Sequence, residues 1–309
     1  MSPATLVTSA PFHLEATVRV LQRRPGNVVD MWTEGRYRRV FPADGKLVLV
    51  EVQNLGTIDA PEIAWSIRNG TPSARARVSL ARTIRKMLGL DIDAEPARRL
   101  VERQRGARAT ARALRGMRPP RFADLFEAFA NVVPFQQLSL DAGVAIVGRL
   151  VERFGMQLSH RGRRFPAFPT PFAIAEAGIQ ALRACGLNLH KAQSLRHVAT
   201  LIASGKLTED ELSAMTATDA IGALTDLPGI GPWSAGLILL RGLGRLDVFP
   251  AGDVGAARGL RALLQLDTDA QVRQVVERLG DRRGYLYFCA LGGNLLARGL
   301  IHAAPPARR

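Results

Sequence analysis

The chain has 309 residues, 47% of them apolar, which is enough for one large or two medium domains. It has no uninterrupted apolar run of about 18 residues, so no membrane-spanning helix is expected, and its first residues, "MSPATLVTSAPFHLEA", lack the basic and apolar regions of an export signal. The 42 basic against 27 acidic residues leave a net charge of +15, which points to a polyanionic partner, nucleic acid first.

Only four of the basic residues are lysines. GC-rich coding explains arginine in place of lysine but not so large an excess of bases over acids. Cys185 and Cys289 lie far apart in helical patterns, so a four-thiolate zinc or iron–sulfur site is excluded. Buried thiols in a reducing compartment are expected, with a disulfide the lesser alternative. The expected location is the cytoplasm, in association with the nucleoid.

In chain order, "FHLEATVRV" alternates Phe12, Leu14, Ala16, Val18 and Val20, the period of a half-buried strand. "KLVLVEVQ" (46–53) and "EIAWSIRN" (62–69) also read as strands between turn residues. "SARARVSLARTIRKMLGL" sets Val78, Ala81, Ile84 and Leu88 on one helical stripe with arginines opposite. The basic stretch 102–121 ends in Pro-Pro and reads as the passage between domains. Its arginines suit either a solvated helix face or phosphate contact. Residues 1–118 hold 21 basic and 11 acidic side chains, and the remainder 21 and 16.

From about residue 122 the patterns are all helical. Phe122, Leu125, Phe126, Phe129 and Val133 recur at helical spacing, and Pro134 should kink that helix. Thr170 and Pro171 read as N-cap and first helical residue, and Thr208 with Glu211 as a capping box. Further helices are expected at about 254–265, 270–280 and 284–297. The fold class is therefore an α+β N-terminal domain, residues 1–117, followed by an all-α domain, 118–302, and a flexible tail, 303–309.

Within the helical part, "LTDLPGIGPWSAG" (224–236) crowds two prolines and two glycines between apolar runs. Glycine tolerates positive φ and close backbone approach. Pro232 suits the first turn of a second helix, whose free N–H groups carry the positive end of the helix dipole. Ile230 would tuck inward and fix the shape. Such a hairpin can hold a phosphate, although an ordinary αα-hairpin can look the same.

Extended to residue 253, the pattern "LPGIGPWSA…LLRG…DVFPAGD" resembles the helix–hairpin–helix DNA glycosylase superfamily, and within it the bacterial 3-methyladenine DNA glycosylase II family. The resemblance extends through "FEAFANVVPFQQLS", "FPTPFAIA", "LRACGLNLHKAQSLRHVA" and "RRGYLYFCAL", roughly residues 118–300. The N-terminal region occupies the place of the family's small TATA-protein-like domain.

The resemblance implies a monofunctional enzyme, acting as a monomer, that hydrolyses the N-glycosidic bond of alkylated purines in duplex DNA without metal or cofactor. Asp253 would be the catalytic carboxylate, and it also reads as an N-cap. Asp247 reads as a turn residue. Trp233 stands where bifunctional relatives have a Schiff-base lysine; it could stack on the base or serve the core. Gln136, Leu237 and Tyr285 would complete the base pocket, the leucine where relatives often have an aromatic. Gln137 would wedge into the duplex. Leu227, Gly229, Ile230, Gly231 and Ser234 would form the DNA-gripping hairpin. His190 and Lys191 could touch the DNA backbone or simply be solvated, and Arg258 could pair with a carboxylate or a phosphate. A non-catalytic DNA-binding protein could carry the same hairpin, but would have no need of a carboxylate beside the phosphates.

Overall fold

A computed structural model describes residues 3–306. Strands β1 (Ala4–Leu6), β2 (Met31–Thr33), β3 (Arg36–Ala43), β4 (Lys46–Asn54) and β5 (Ile63–Ile67) form one antiparallel sheet in the order β1-β5-β4-β3-β2. The strands expected over 46–53 and 62–69 are β4 and β5.

The strand expected over 12–20 is instead helix α1, Leu14–Gln22. Thr17 and Leu21 are buried along with Leu14, Ala16, Val18 and Val20, so the segment buries all but a Glu15–Arg19 stripe rather than alternate residues. Burial against the rest of the molecule overrides the strand preference of its β-branched residues. His13 caps the helix: its Nδ1 accepts from the Ala16 N–H at 3.3 Å, and its Nε2 lies 2.9 Å from the His302 carbonyl.

Helix α2 (Ala74–Met87) forms as expected, but its buried stripe is Leu80, Ile84 and Met87, and Val78 is 62% exposed. The basic stretch read as a passage between domains is built into the body. Helices α3 (Glu95–Glu102) and α4 (Arg108–Ala113) bury Ala97, Val101, Ala107, Ala111, Leu114 and Met117. Several arginines there are committed internally, while Arg103, Arg105 and Arg108 are exposed. Arg98 binds Glu95 and Glu102, Arg112 binds Glu102, and buried Arg118 donates to the Ile92 carbonyl at 2.7 Å.

The helical part begins with α5 (Leu125–Ala130), which stops well short of the long helix the apolar spacing suggested. The Asn131 side chain turns back onto the Glu127 carbonyl, and Pro134 sits in a separate 3₁₀ turn, Val133–Phe135. Helix α6 (Leu140–Phe154) comes next, then a two-stranded hairpin, β6 (Gln157–His160) and β7 (Arg163–Pro166), so this half is not wholly α-helical. Arg161 and Gly162 both take positive φ at its turn, the two-residue hairpin geometry. Leu158 and Phe165 lay the hairpin onto Val40, Leu49 and Ala167 beside the sheet.

Helices α7 (Pro171–Ala175), α8 (Ile179–Ala184), α9 (Leu189–Ala203), α10 (Glu209–Ala214), α11 (Ala217–Thr225), α12 (Pro232–Ile238), α13 (Val254–Leu264), α14 (Asp269–Arg278) and α15 (Tyr285–Ala297) complete the order. Thr170 caps α7 with Pro171 in its first turn, and Thr208 and Glu211 form the expected capping box.

Helix α15 is buried on most sides and packs against α1, α3, α4 and α13, so one apolar core runs through both halves. A buried ion cluster adds a polar tie: Arg39 of β3 bonds Asp30 at 2.9 Å and Glu127 of α5, while Tyr37 donates to Asp30 at 2.7 Å. Burial pushes the Glu127 carboxyl up to about 7 against the pull of Arg39. Cys185 and Cys289 are free and buried.

The tail expected to be flexible is tied down over its described residues. His302 meets Glu15, the Ala304 N–H donates to the Ala113 carbonyl at 2.8 Å, and Arg115 donates to the Pro305 carbonyl at 3.1 Å. Residues 307–309 of that tail lie outside the described residues.

Candidate active site

Helix α11 ends at Thr225 and α12 starts at Pro232, with Gly231 as its N-cap and no side chain capping it. Between them, Pro228, Gly229, Gly231 and Pro232 are exposed while Ile230 is buried, so the hairpin presents backbone outward around an apolar plug. Gly229 has φ +82°, and a Cβ there would stand 3.0 Å from the Ser194 side chain of α9. Only glycine fits both conditions. The first-turn N–H groups of α12 are left without partners inside the helix, the arrangement that attracts anions.

The hairpin forms one wall of a cleft of about 710 Å³. Its other walls are the turn Phe135–Leu138, the start of α9 with Asn188, His190 and Lys191, and the loop at the start of α13 with Gly252 and Asp253. Asp253 has both carboxylate oxygens engaged. Oδ1 accepts from the Ala256 N–H at 2.7 Å, which makes it the N-cap of α13, and Oδ2 accepts from the Trp233 indole N–H at 2.9 Å. The cap and the cleft roles are therefore compatible. The carboxylate is fixed in orientation by two donors from different elements and still faces the cavity. Trp233, half-buried, reaches it from α12.

Gln136 and Gln137 are both in the cleft wall, but not at the end of a long helix. Gln136 donates through Nε2 to the Gly229 carbonyl at 2.8 Å and to Ser234 Oγ at 3.0 Å, tying this turn to the hairpin. Gln137 has φ +55° and is exposed. Ser234 lines the cleft, yet its side chain is buried and accepts from Gln136, so any DNA contact falls to its main chain.

Two expected pocket residues are elsewhere. Leu237 is buried in the core one turn along α12 from Trp233 and does not line the cleft. Tyr285 is buried beside Arg98 and Arg118 near Pro11, outside the cleft. Spacing along a helix does not say which face meets the cavity. Leu227 is half-buried and packs on the core, so it supports the hairpin from within rather than gripping DNA. Asp247 pairs with Arg245 at 2.7 Å as a turn residue, and Arg258 is exposed on α13.

Sequence reasoning missed the buried cationic group behind the cleft. Arg23 lies over the rings of Phe122 and Phe135, at 5.0 and 4.6 Å, and Phe135 itself lines the cleft. Arg241, fully buried, lies over the same Phe122 ring at 4.7 Å and bonds the Val20 carbonyl at 3.2 Å. Burial, then the neighbouring Arg241, lowers Arg23 to about 9. Tyr287 hydrogen-bonds Arg241, and burial raises its hydroxyl above the ordinary range. An arginine inside the apolar run "LILLRGLG" was the available signal. Leu138, 45% exposed at the cleft mouth, was also missed. Lys191, left open between DNA contact and solvent, is half-buried in the cleft wall, and its ammonium donates to the Pro134 and Gln136 carbonyls.

Among the described residues no group of three or more His, Cys, Asp or Glu side chains could hold a metal ion, and no helix is long and apolar enough to cross a membrane.

Two family models match the chain. One describes an HhH-GPD superfamily base excision DNA repair protein, over residues 131–282, and the other an AlkA N-terminal domain, over residues 4–124. A DNA-3-methyladenine glycosylase of Bacillus subtilis is 28% identical over 201 residues, 65% of this chain and 66% of the relative. DNA-3-methyladenine glycosylase 2 of Escherichia coli is 31% identical over 173 residues, 55% of this chain and 58% of the relative. These matches span about three fifths to two thirds of those relatives. The structure of a 3-methyladenine DNA-glycosylase from Archaeoglobus fulgidus superposes with a TM-score of 0.76 at 26% identity, covering 96% of this chain and 99% of that one.

Proposed function

Because the chain belongs to the HhH-GPD superfamily of base excision DNA repair proteins, we propose that it is a monofunctional DNA glycosylase that releases alkylated purines from duplex DNA. The observation that carries this reading is Asp253, a carboxylate oriented by Trp233 and Ala256 on the wall of a cleft whose opposite rim is a glycine-rich hairpin. A non-catalytic DNA binder has no use for a carboxylate held in that way.

The hairpin grips the DNA backbone through main-chain N–H groups, and the damaged nucleotide turns out of the duplex into the cleft at a cost of a few kcal/mol. The C1′–N bond then lengthens and the sugar acquires positive charge, which Asp253 stabilises. Water adds to C1′ and gives up a proton, and the base leaves with the bonding electron pair. In a purine methylated at N3 or N7 that pair neutralises a charge already on the base, so no acid is needed at the leaving group. The cleft is consistent with this chemistry: among the described residues, Asp253 is its only carboxylate. Trp233 and Phe135 supply its aromatic rings. Trp233 cannot form an imine, and Lys191 already donates to two carbonyls, which disfavours it as a nucleophile.

The test is single-turnover base release from methylated duplex DNA, compared with duplexes containing 8-oxoguanine or uracil, with borohydride present in parallel. Release of 3-methyladenine and 7-methylguanine without a trapped adduct is expected. Faster release of 8-oxoguanine, or a covalent adduct, would overturn the proposal.

A further inference from the structure

The turn at the mouth of the cleft is an unusual piece of backbone. Pro134 has no N–H to give, and the 3₁₀ turn Val133–Phe135 uses its carbonyls alternately. Those of Val133 and Phe135 accept from Gln136 and Leu138, at 3.4 and 3.2 Å. Those of Pro134 and Gln136 both accept from Lys191 Nζ, at 3.2 and 2.6 Å. The residue after this grip, Gln137, takes φ +55°, a conformation that costs a side-chain-bearing residue energy and persists only where the surroundings enforce it. Leu138, the next residue, is an exposed apolar side chain beside an exposed amide.

Lys191 is itself held firmly. Asn188 caps α9 by accepting from the Lys191 N–H at 2.9 Å, and one turn on, Ser194 abuts Gly229 of the hairpin. The turn is therefore clamped from two sides, by Lys191 on α9 and by the Gln136 amide on the hairpin. Burial lowers the lysine below its usual range, as befits an ammonium withdrawn from water to serve two carbonyls.

We propose that Lys191 is a positioning residue: it holds the Pro134–Gln136 backbone so that the Gln137–Leu138 tip stands preformed as the wedge that enters the base stack and takes the place of the extruded nucleotide. This rests on the glycosylase reading for its reaction, but the clamp acts on extrusion and not on bond cleavage. Removing it should matter where extrusion is costly and little where the lesion has no partner to leave.

The experiment uses the full chain and two duplexes carrying 7-methylguanine, one opposite cytosine and one opposite a tetrahydrofuran abasic analogue. On the paired duplex Lys191→Met should slow single-turnover release on the order of tenfold or more, the scale of a lost charge-assisted hydrogen bond. On the unpaired duplex the deficit should shrink severalfold, and Lys191→Arg should recover much of it. Leu138→Ala alters an exposed side chain, so folding is not at issue, and it should show the same dependence on pairing. Equal deficits on both duplexes, or none on either, would overturn the proposal. If the wild-type protein releases no base, the function fails but the clamp is still tested. A 2-aminopurine beside a tetrahydrofuran site should brighten when wild-type protein binds and stay dim with Lys191→Met at saturation. Equal brightening by both would refute the clamp.

Discussion

At the scale of single residues, Asp253 caps α13 and, in the proposed reaction, stabilises the sugar cation, and substitutions can separate the two roles. In Asp253→Asn the amide oxygen can still cap α13, but the amide N–H then faces the Trp233 indole N–H, donor against donor. Base release should fall by roughly two to three orders of magnitude, the range seen when a preorganised electrostatic partner of a transition state is removed, while DNA binding persists. Stability should fall by about 1 kcal/mol, since asparagine is itself a good N-cap. Near wild-type release by this variant would remove Asp253 from the chemistry. Trp233→Phe keeps a ring but frees one carboxylate oxygen to rotate, and should lower the rate constant for release about tenfold with little change in binding. Asp253 was legible from its place after the hairpin. Leu237 and Tyr285 lie outside the cleft: a helical period does not say how far along a helix the cavity reaches or which elements border it. The roles of Lys191 and Arg241 depend on carbonyls and rings remote in sequence, which no local pattern contains.

At the scale of elements, the hairpin was legible because its chemistry is local. Positive φ at Gly229, the proline opening α12 and the inward Ile230 all arise from the adjacent residues. Gly229→Val should both strain the turn and press on Ser194, so DNA affinity should drop severalfold and stability by about 1 kcal/mol or more; unchanged affinity in a salt titration would argue against the hairpin as the grip. Helix α1 was misread because its burial is set by partners such as α15, and the β6–β7 hairpin was missed because only its Arg-Gly turn announced it. Helix α1 also carries a pH dependence. Burial lowers His13 below its ordinary value of 6.5, and its Nδ1 is the atom that accepts from the Ala16 N–H. The folded state thus binds fewer protons than the unfolded chain. This contribution to stability is present above pH 6.5 and is lost as pH falls through the lowered folded value. The difference in melting temperature between wild type and His13→Asn, which can still cap, should shift against the wild type as pH falls over that range.

At the scale of the whole molecule, the two halves expected from the sequence share one apolar core, with α15 wedged between α1, α3 and α4. We propose that the boundary near residue 117 divides the chain by ancestry and role rather than into parts that fold alone. Many arginines of the first half are paired within the body, so there the excess positive charge falls to exposed ones such as Arg103, Arg105 and Arg108.

The buried cysteines acquire a meaning once the surroundings of such an enzyme are considered. Methylating agents that damage purines also attack thiolates, so a protein that mends such damage works in their presence. Burial pushes the Cys289 thiol up to about 12 and raises Cys185 as well. With only two cysteines in the chain, the folded protein offers almost no thiolate at neutral pH. Exposure to methyl methanesulfonate should leave both thiols unmodified by mass spectrometry at doses that methylate DNA, and unfolding in denaturant should make both react. Modification of either in the native protein would show that the fold does not shield it from the agents whose damage it is proposed to repair.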